Sequence, residues 1–214
     1  MTDPVDLTRS LIRCPSVTPA EGGAISLLDD LLQAAGFATE RIDRGGVSNL
    51  FARWGTGRTL GFNGHTDVVP VDGQPWDSDP FVVTQRDDKY FGRGTCDMKG
   101  FDALAIWALV EAHYTDLKRP LQLALSFDEE VGCTGAPPMI VAMQDVVPKG
   151  SAVIVGEPSV MQAVTGHKGS FGYDTHVIGY EVHSSLMHTG VNAIMQAAPL
   201  IDWANTQNAA NMAA

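Results

Sequence analysis

Long apolar runs are missing from this sequence. No stretch approaches the roughly 20 consecutive apolar residues that a membrane-spanning helix needs, so a membrane partner is not expected. Basic residues are scarce, with 14 Lys+Arg against 25 Asp+Glu and a formal net charge of −11. Phosphate binding needs a clustered basic face, so nucleic acid is excluded as a partner. Cysteine is rare too. Three residues, Cys14, Cys96 and Cys133, are spread along 214 positions and cannot form a disulfide framework. The opening Met1-Thr2-Asp3-Pro4-Val5-Asp6 is acidic and has no apolar h-region, so no secretory signal is read and a cytoplasmic location is expected. Internal repeats and low-complexity tracts are also lacking.

What is there is enough to fold. Apolar residues make up 44% of the chain, which excludes wholesale disorder, and 22 glycines and 12 prolines punctuate it. The length suits one domain or a domain and a half. Asp3 and Pro4 are suited to start a helix over 4–13, and the apolar spacing predicts a second over about 21–35, closed by Gly36. Strands are expected near 37–42, 48–54, 59–65, 121–127 and 152–155. A hairpin is expected around Asp87-Asp88, and helices over 98–113 and 136–145. The alternation predicts an α/β fold with a mixed, mainly parallel sheet and helices on both faces. After Gly166–Gly169 the pattern changes to an alternating strand over 170–180 and a helix over 192–205, which could begin a second domain.

The acid is concentrated. Between His65 and Glu130 lie thirteen acidic and six basic residues, which account for seven of the eleven net negative charges. Open α/β sheets carry functional groups just beyond the carboxyl ends of their strands. Three expected strands end that way, running into His65-Thr66-Asp67, Asp128-Glu129-Glu130 and Glu157-Pro158. Asp97 stands before the helix that follows it. Singly each has an ordinary reading: a structural His–Asp pair, a loop dipeptide, an acid at a helix start. Together one imidazole and several carboxylates along one edge point to a divalent cation, with a spare carboxylate as general base. Adjacent Glu129 and Glu130 need not do the same job, because successive side chains of an extended chain point to opposite sides. Their mutual repulsion would raise a carboxyl pKa.

These motifs, Gly64-His65-Thr66-Asp67-Val68-Val69-Pro70, Gly92-Arg93-Gly94-Thr95-Cys96-Asp97-Met98-Lys99-Gly100, Asp128-Glu129-Glu130 and Gly156-Glu157-Pro158, resemble the M20 zinc amidohydrolases. That family includes acetylornithine deacetylase, succinyl-diaminopimelate desuccinylase and carboxypeptidases. Phe127 to Cys133 and Thr165-Gly166-His167-Lys168-Gly169 resemble the acetylornithine deacetylase branch. The resemblance implies two zinc ions, with cobalt or manganese as substitutes. It gives His65 and Glu157 to one ion, Glu130 to the second, and Asp97 as a bridge. Asp67 would orient His65, and Glu129 would be the general base for hydrolysing a small N-acyl amino acid, N-acetylornithine, to ornithine and acetate. His183 would reach a partner subunit's site in a homodimer, and Lys168 would anchor a substrate carboxylate. Cys14, Cys96 and Cys133 would be small, packed, reduced residues, and His113, His176 and His188 structural.

By the same resemblance, residues 1–168 are the N-terminal part of a catalytic domain and 169–214 the beginning of a lid and dimerisation domain. Family members are longer and supply a further histidine to the second ion, for which nothing after His188 is a candidate. One tightly held ion at most, uncovered apolar sheet edges and no turnover by this chain alone are therefore expected. The alternatives are desuccinylase or other acyl-amino-acid hydrolase activity, and, in a different class, an inactive metal-binding fragment or interaction module.

Overall fold

A computed structural model describes residues 3–144, 147, 149–166, 169 and 172–213. The chain divides into two compact units, Met1–Ala163 and Val164–Ala214.

The first unit opens with α1 (Pro4–Ile12), whose first turn is capped by the Asp3 carboxylate accepting from the Val5 and Asp6 amides. Helix α2 (Ala24–Ala34) follows, with the Glu21 side chain accepting from the Ile25 amide. Gly36, at φ 87°, turns the chain out of α2 in the left-handed conformation that favours glycine. Strands β1 (Ala38–Arg44) and β2 (Val47–Trp54) form an antiparallel hairpin across Gly45-Gly46, both at positive φ. Next come β3 (Leu60–His65) and the small hairpin β4 (Thr84–Arg86) and β5 (Lys89–Phe91) around Asp87-Asp88. Helix α3 (Lys99–His113), β6 (Leu121–Ser126), α4 (Ala136–Met143) and β7 (Ala152–Val155) complete the unit.

The main sheet has the order β1-β2-β6-β3-β7. Its β6-β3-β7 half is parallel, and its β1-β2-β6 half is antiparallel, so the mixed sheet divides evenly. One face carries Leu50, Ala52, Leu121, Leu123 and Leu125 against Leu7, Leu11, Ile25, Leu28, Leu32, Ile106 and Leu109 of α1, α2 and α3. Each such leucine contributes about 1.5–3 kcal/mol through burial. On the other face Asn49 reaches the start of α4: its amide donates to the Gly135 carbonyl, and its oxygen accepts from the Phe127 amide. Helices thus cover both faces.

The edges contrast. β1 carries Glu40, Arg41 and Asp43, which discourages further pairing. In β7, Val153, Ile154 and Val155 are about half exposed, as the expectation of an uncovered apolar edge had it.

In the second unit Tyr180 and Val191 form an isolated antiparallel bridge around a 3₁₀ turn, Ser184–Thr189. Helix α5 (Ala193–Ala213) follows, begun by Asn192 accepting from the Ile194 and Met195 amides. The strand expected over 170–180 is not formed: residues 172–179 are irregular, and 170–171 lie outside the described residues. Alternation marks a surface ready to pair, but a strand needs a ladder partner. α5 also continues beyond 205, where Gln207, Ala209, Ala210, Met212 and Ala213 are good helix formers.

Candidate metal centre

Parallel pairing sets His65, the last residue of β3, opposite Ser126 of β6, and pairs Asn63 with Val155 of β7. The chain beyond β6 and β7 therefore emerges beside His65, bringing Glu129, Glu130 and Glu157 to one end of the sheet. Asp97 arrives from the loop before α3. The imidazole is buried and engaged on both sides. Its Nδ1 lies 3.0 Å from the Asp67 carbonyl and 3.4 Å from the Asp67 carboxylate. Its Nε2 lies 3.1 Å from Asp97 and 3.8 Å from both Glu129 and Glu157.

Ligand-type atoms fall into two groups, His65–Glu129–Glu157 and His65–Asp97–Glu130, each with all its atoms within 4.8 Å of one another. Ligands held about 2 Å from an ion stand up to roughly 4 Å apart across it, so both groups are near coordinating distance. The donor set fits a cation. An imidazolium offers one positive charge, and this ring contacts four carboxylates. His65 is common to both groups, and with Nδ1 engaged by Asp67 the nitrogen facing Asp97, Glu129 and Glu157 is Nε2.

The electrostatics record the same crowding. Burial alone lowers the pKa of His65, but the Asp67 hydrogen bond and the charges of Asp67, Asp102 and Glu129 outweigh it and push it up to about 10. Glu130 is raised, first by burial and then by Asp97, with Glu129 adding to it, so the expected repulsion is present behind desolvation.

Asp67 is fully buried and its carboxylate organises the next loop. Oδ1 accepts from the Glu129 amide at 3.2 Å, and Oδ2 accepts from the Glu130 amide at 3.1 Å and from the Thr18 hydroxyl at 3.1 Å. Burial raises its pKa, but these bonds and His65 more than compensate, and it is lowered overall. The 129–133 segment is a turn rather than extended backbone, with the Gly132 and Cys133 amides donating to the Glu129 carbonyl. Extended-chain alternation is therefore not what separates the two glutamates; the turn distributes them between the two groups.

Cys96 and Cys133 are free but exposed at the rim, not packed as expected. The Cys133 thiol donates to Glu129 Oε1 at 3.4 Å. His113 packs against Trp54, Phe37 and Tyr114, a structural setting. His183 lies in the second unit, exposed, where Nδ1 accepts from the Ser185 amide at 3.3 Å. Lys168 lies outside the described residues.

Sequence reasoning missed the floor beneath the centre. Lys99 is fully buried, and its Nζ donates to the Leu11 and Cys14 carbonyls at the end of α1, at 3.0 and 2.7 Å. Asp102, one turn further along α3, is fully buried with no hydrogen-bond partner for either oxygen among the described residues. Burial drives its pKa well upward against the opposing influence of His65 and Lys99. It fits because residue 64 is glycine: a Cβ there would strike its carboxyl group. Such residues leave a faint mark in the sequence, as charge at inward-facing positions of a helix.

The sequence profile of peptidase family M20/M25/M40 matches residues 61–210. The chain belongs to that family. It is 43% identical over 218 residues to succinyl-diaminopimelate desuccinylase of Dinoroseobacter shibae, covering 94% of this chain and 56% of the relative. A second relative, succinyl-diaminopimelate desuccinylase 1 of a Ruegeria species, is 42% identical over 212 residues with the same coverage. The chain thus spans about half the length of these M20 relatives. Among solved structures, an M20 family metallo-carboxypeptidase from Sulfolobus solfataricus superposes with a TM-score of 0.65 at 22% identity, over 73% of this chain and 37% of that one. Human carnosine dipeptidase 1 gives 0.63 at 22% identity, over 71% and 38%. These likenesses establish the M20 α/β catalytic fold. The desuccinylase names favour the alternative over acetylornithine deacetylase. No helix among the described residues is long and apolar enough to cross a membrane.

Proposed function

We propose that this chain carries the metal-binding part of an M20 amide hydrolase that removes the acyl group from a small N-acyl amino acid, with N-succinyl-diaminopimelate as its substrate class. The observation that carries the reading is the convergence of Asp97, Glu129 and Glu157 on one buried imidazole nitrogen. His65, Asp97 and Glu157 would hold the tightly bound cation and Glu130 would serve a second, zinc by their donor set, with cobalt or manganese served by the same atoms. When bound, a divalent cation supplies Lewis-acid polarisation of an amide carbonyl and makes water a better nucleophile at neutral pH.

The protein groups do the rest. Glu129, held at Oε1 by the Cys133 thiol and at its amide by Asp67, offers Oε2 to take a proton from water and return it to the leaving amine nitrogen. Asp67 fixes the imidazole through Nδ1, which keeps Nε2 directed at the carboxylates. Because both groups draw on the same residue, His65, one tightly held ion per chain is the expected stoichiometry. We assign the second unit to the start of a lid and dimerisation domain, from which His183 would serve a homodimer partner, with Lys168 as a substrate anchor.

A second reading, N-acetylornithine as substrate, rests on the resemblance of the Phe127–Cys133 segment to the acetylornithine deacetylase branch. The test is a zinc-loaded panel of N-succinyl-diaminopimelate, N-acetylornithine and a simple N-acyl amino acid. It is run on the 214-residue chain and, where the reading frame continues, on its full product. Fastest release of succinate supports the proposal; fastest release of acetate selects the second reading. A chain that takes up no divalent cation sinks both. Within the intact enzyme Glu129→Gln should abolish turnover with metal retained, and turnover that survives removes Glu129 from the role of base.

A further inference from the structure

The segment between α1 and α2 touches the centre at two places. Ser16 and Val17 run beside Thr66 to Val68: the Ser16 hydroxyl donates to the Thr66 carbonyl at 2.5 Å, the Val68 amide donates to the Ser16 carbonyl at 3.0 Å, and Val17 bridges Val68 in parallel. This zipper delivers the next residue, Thr18, to Oδ2 of Asp67 at 3.1 Å. Upstream, Lys99 ties the Leu11 and Cys14 carbonyls to the first residue of α3, two positions after Asp97. The loop returns upon itself without slack, since a Cβ at Gly22 would sit 2.7 Å from the Pro15 carbonyl carbon, and Gly22 has a φ of 62°.

We propose that Thr18 is a positioning residue for the metal centre, its hydroxyl acting through Asp67 to hold His65, Glu129 and Glu130 in place. The carboxylate of Asp67 receives the Glu129 and Glu130 amides and the Thr18 hydroxyl, and stands beside the His65 ring. In a fully buried carboxylate each of these matters, because there is no water to replace a lost one. Without the hydroxyl, Oδ2 keeps the Glu130 amide alone, and the carboxylate, still held by the two glutamate amides, can rotate further from its place. That rotation disturbs the ring orientation and the glutamate turn together. The proposal rests on reading the cluster as a cation site.

The test uses cobalt(II) as the probe on the 214-residue chain, with affinity by titration and coordination by its visible d–d absorption. Thr18→Val should weaken cobalt binding about ten-fold, as loss of partners behind metal ligands commonly does, and change the absorption bands. Thr18→Ser should restore both, because it returns the donor. A role in packing alone would shift thermal stability in Thr18→Val but leave affinity and bands as in wild type, and that result overturns the proposal. So does Thr18→Ser behaving as Thr18→Val. If Thr18→Val does not fold, Thr18→Ala against Thr18→Ser decides in the same way, the two differing only by the hydroxyl. Wild-type chain that takes up no cobalt overturns the cation-site reading itself, a failure distinct from unchanged binding by the variant.

Discussion

The metal centre has a floor and a rim, built on different terms. The side chains of His65 and Asp67 are 1% and 0% exposed, and Lys99 and Asp102 lie fully buried beneath them. The rim carboxylates of Asp97 and Glu157 are about half exposed and that of Glu129 about one third. A buried charge must be matched by the protein, so floor residues are bound up with folding. An exposed carboxylate is solvated whatever the fold does, so rim residues are available for a ligand at little cost to stability. Substitutions should therefore separate: floor changes unfold the chain, and rim changes empty it.

The largest expected effect is at Asp67. Asp67→Ala leaves the Glu129 and Glu130 amides and the His65 ring without their acceptor, and should cost about 3–5 kcal/mol in urea unfolding of the metal-free chain. A loss below about 1 kcal/mol would put Asp67 with the rim. Lys99→Met comes next. It keeps the length of the side chain but leaves the Leu11 and Cys14 carbonyls without their charged donor, and should cost about 2–3 kcal/mol by the same measurement.

Asp102 gives a smaller, pH-dependent signature. Its pKa is raised in the folded state, so as pH climbs above about 4 the unfolded chain releases this proton while the folded chain keeps it. Wild-type stability should therefore fall with rising pH relative to Asp102→Asn. Unfolding curves at about pH 5 and about pH 8 read the difference, and a constant offset between the two proteins would show that Asp102 is ionised in place. Asp97→Asn should have the smallest effect on folding, within about 0.5 kcal/mol. It should nonetheless lower zinc affinity about 100-fold or more by calorimetry, beyond the typical loss for a residue behind the ligands. A destabilised but still zinc-binding Asp97→Asn would erase the distinction between floor and rim.

The rim was easier to read from sequence than the floor. His65, Glu129, Glu130 and Glu157 stand just past apolar runs that became β3, β6 and β7, and parallel pairing left those runs one place to converge. The strands of the parallel half of the sheet, the hairpin around Asp87-Asp88 and the first three helices followed from apolar period, caps and turn residues in the same way, whereas the pairing of β1 with β2 emerged only in the structure. Lys99, Asp102 and Thr18 carry no such signal, because what matters about them is what lies opposite: the end of α1, the bare Gly64, the Asp67 carboxylate. The residues at 172–179 show the reverse failure, strand-like alternation with no ladder to join.

Local chemistry in the sequence was thus sufficient for the α/β fold class, the family resemblance and the identity of the metal-type residues, since propensity, turn geometry and ligand type are properties of short segments. Only the tertiary structure decided which atoms share His65, that Glu129 and Glu130 lie on a turn, that Cys96 and Cys133 stand exposed, and that a carboxylate just past β3 holds the loop after β6 together with one from the N-terminus. Those facts depend on contacts between residues far apart in the chain, such as Thr18 with Asp67, 49 positions away, and Asp67 with Glu130, 63 away. Close packing settles such contacts once the whole core is assembled.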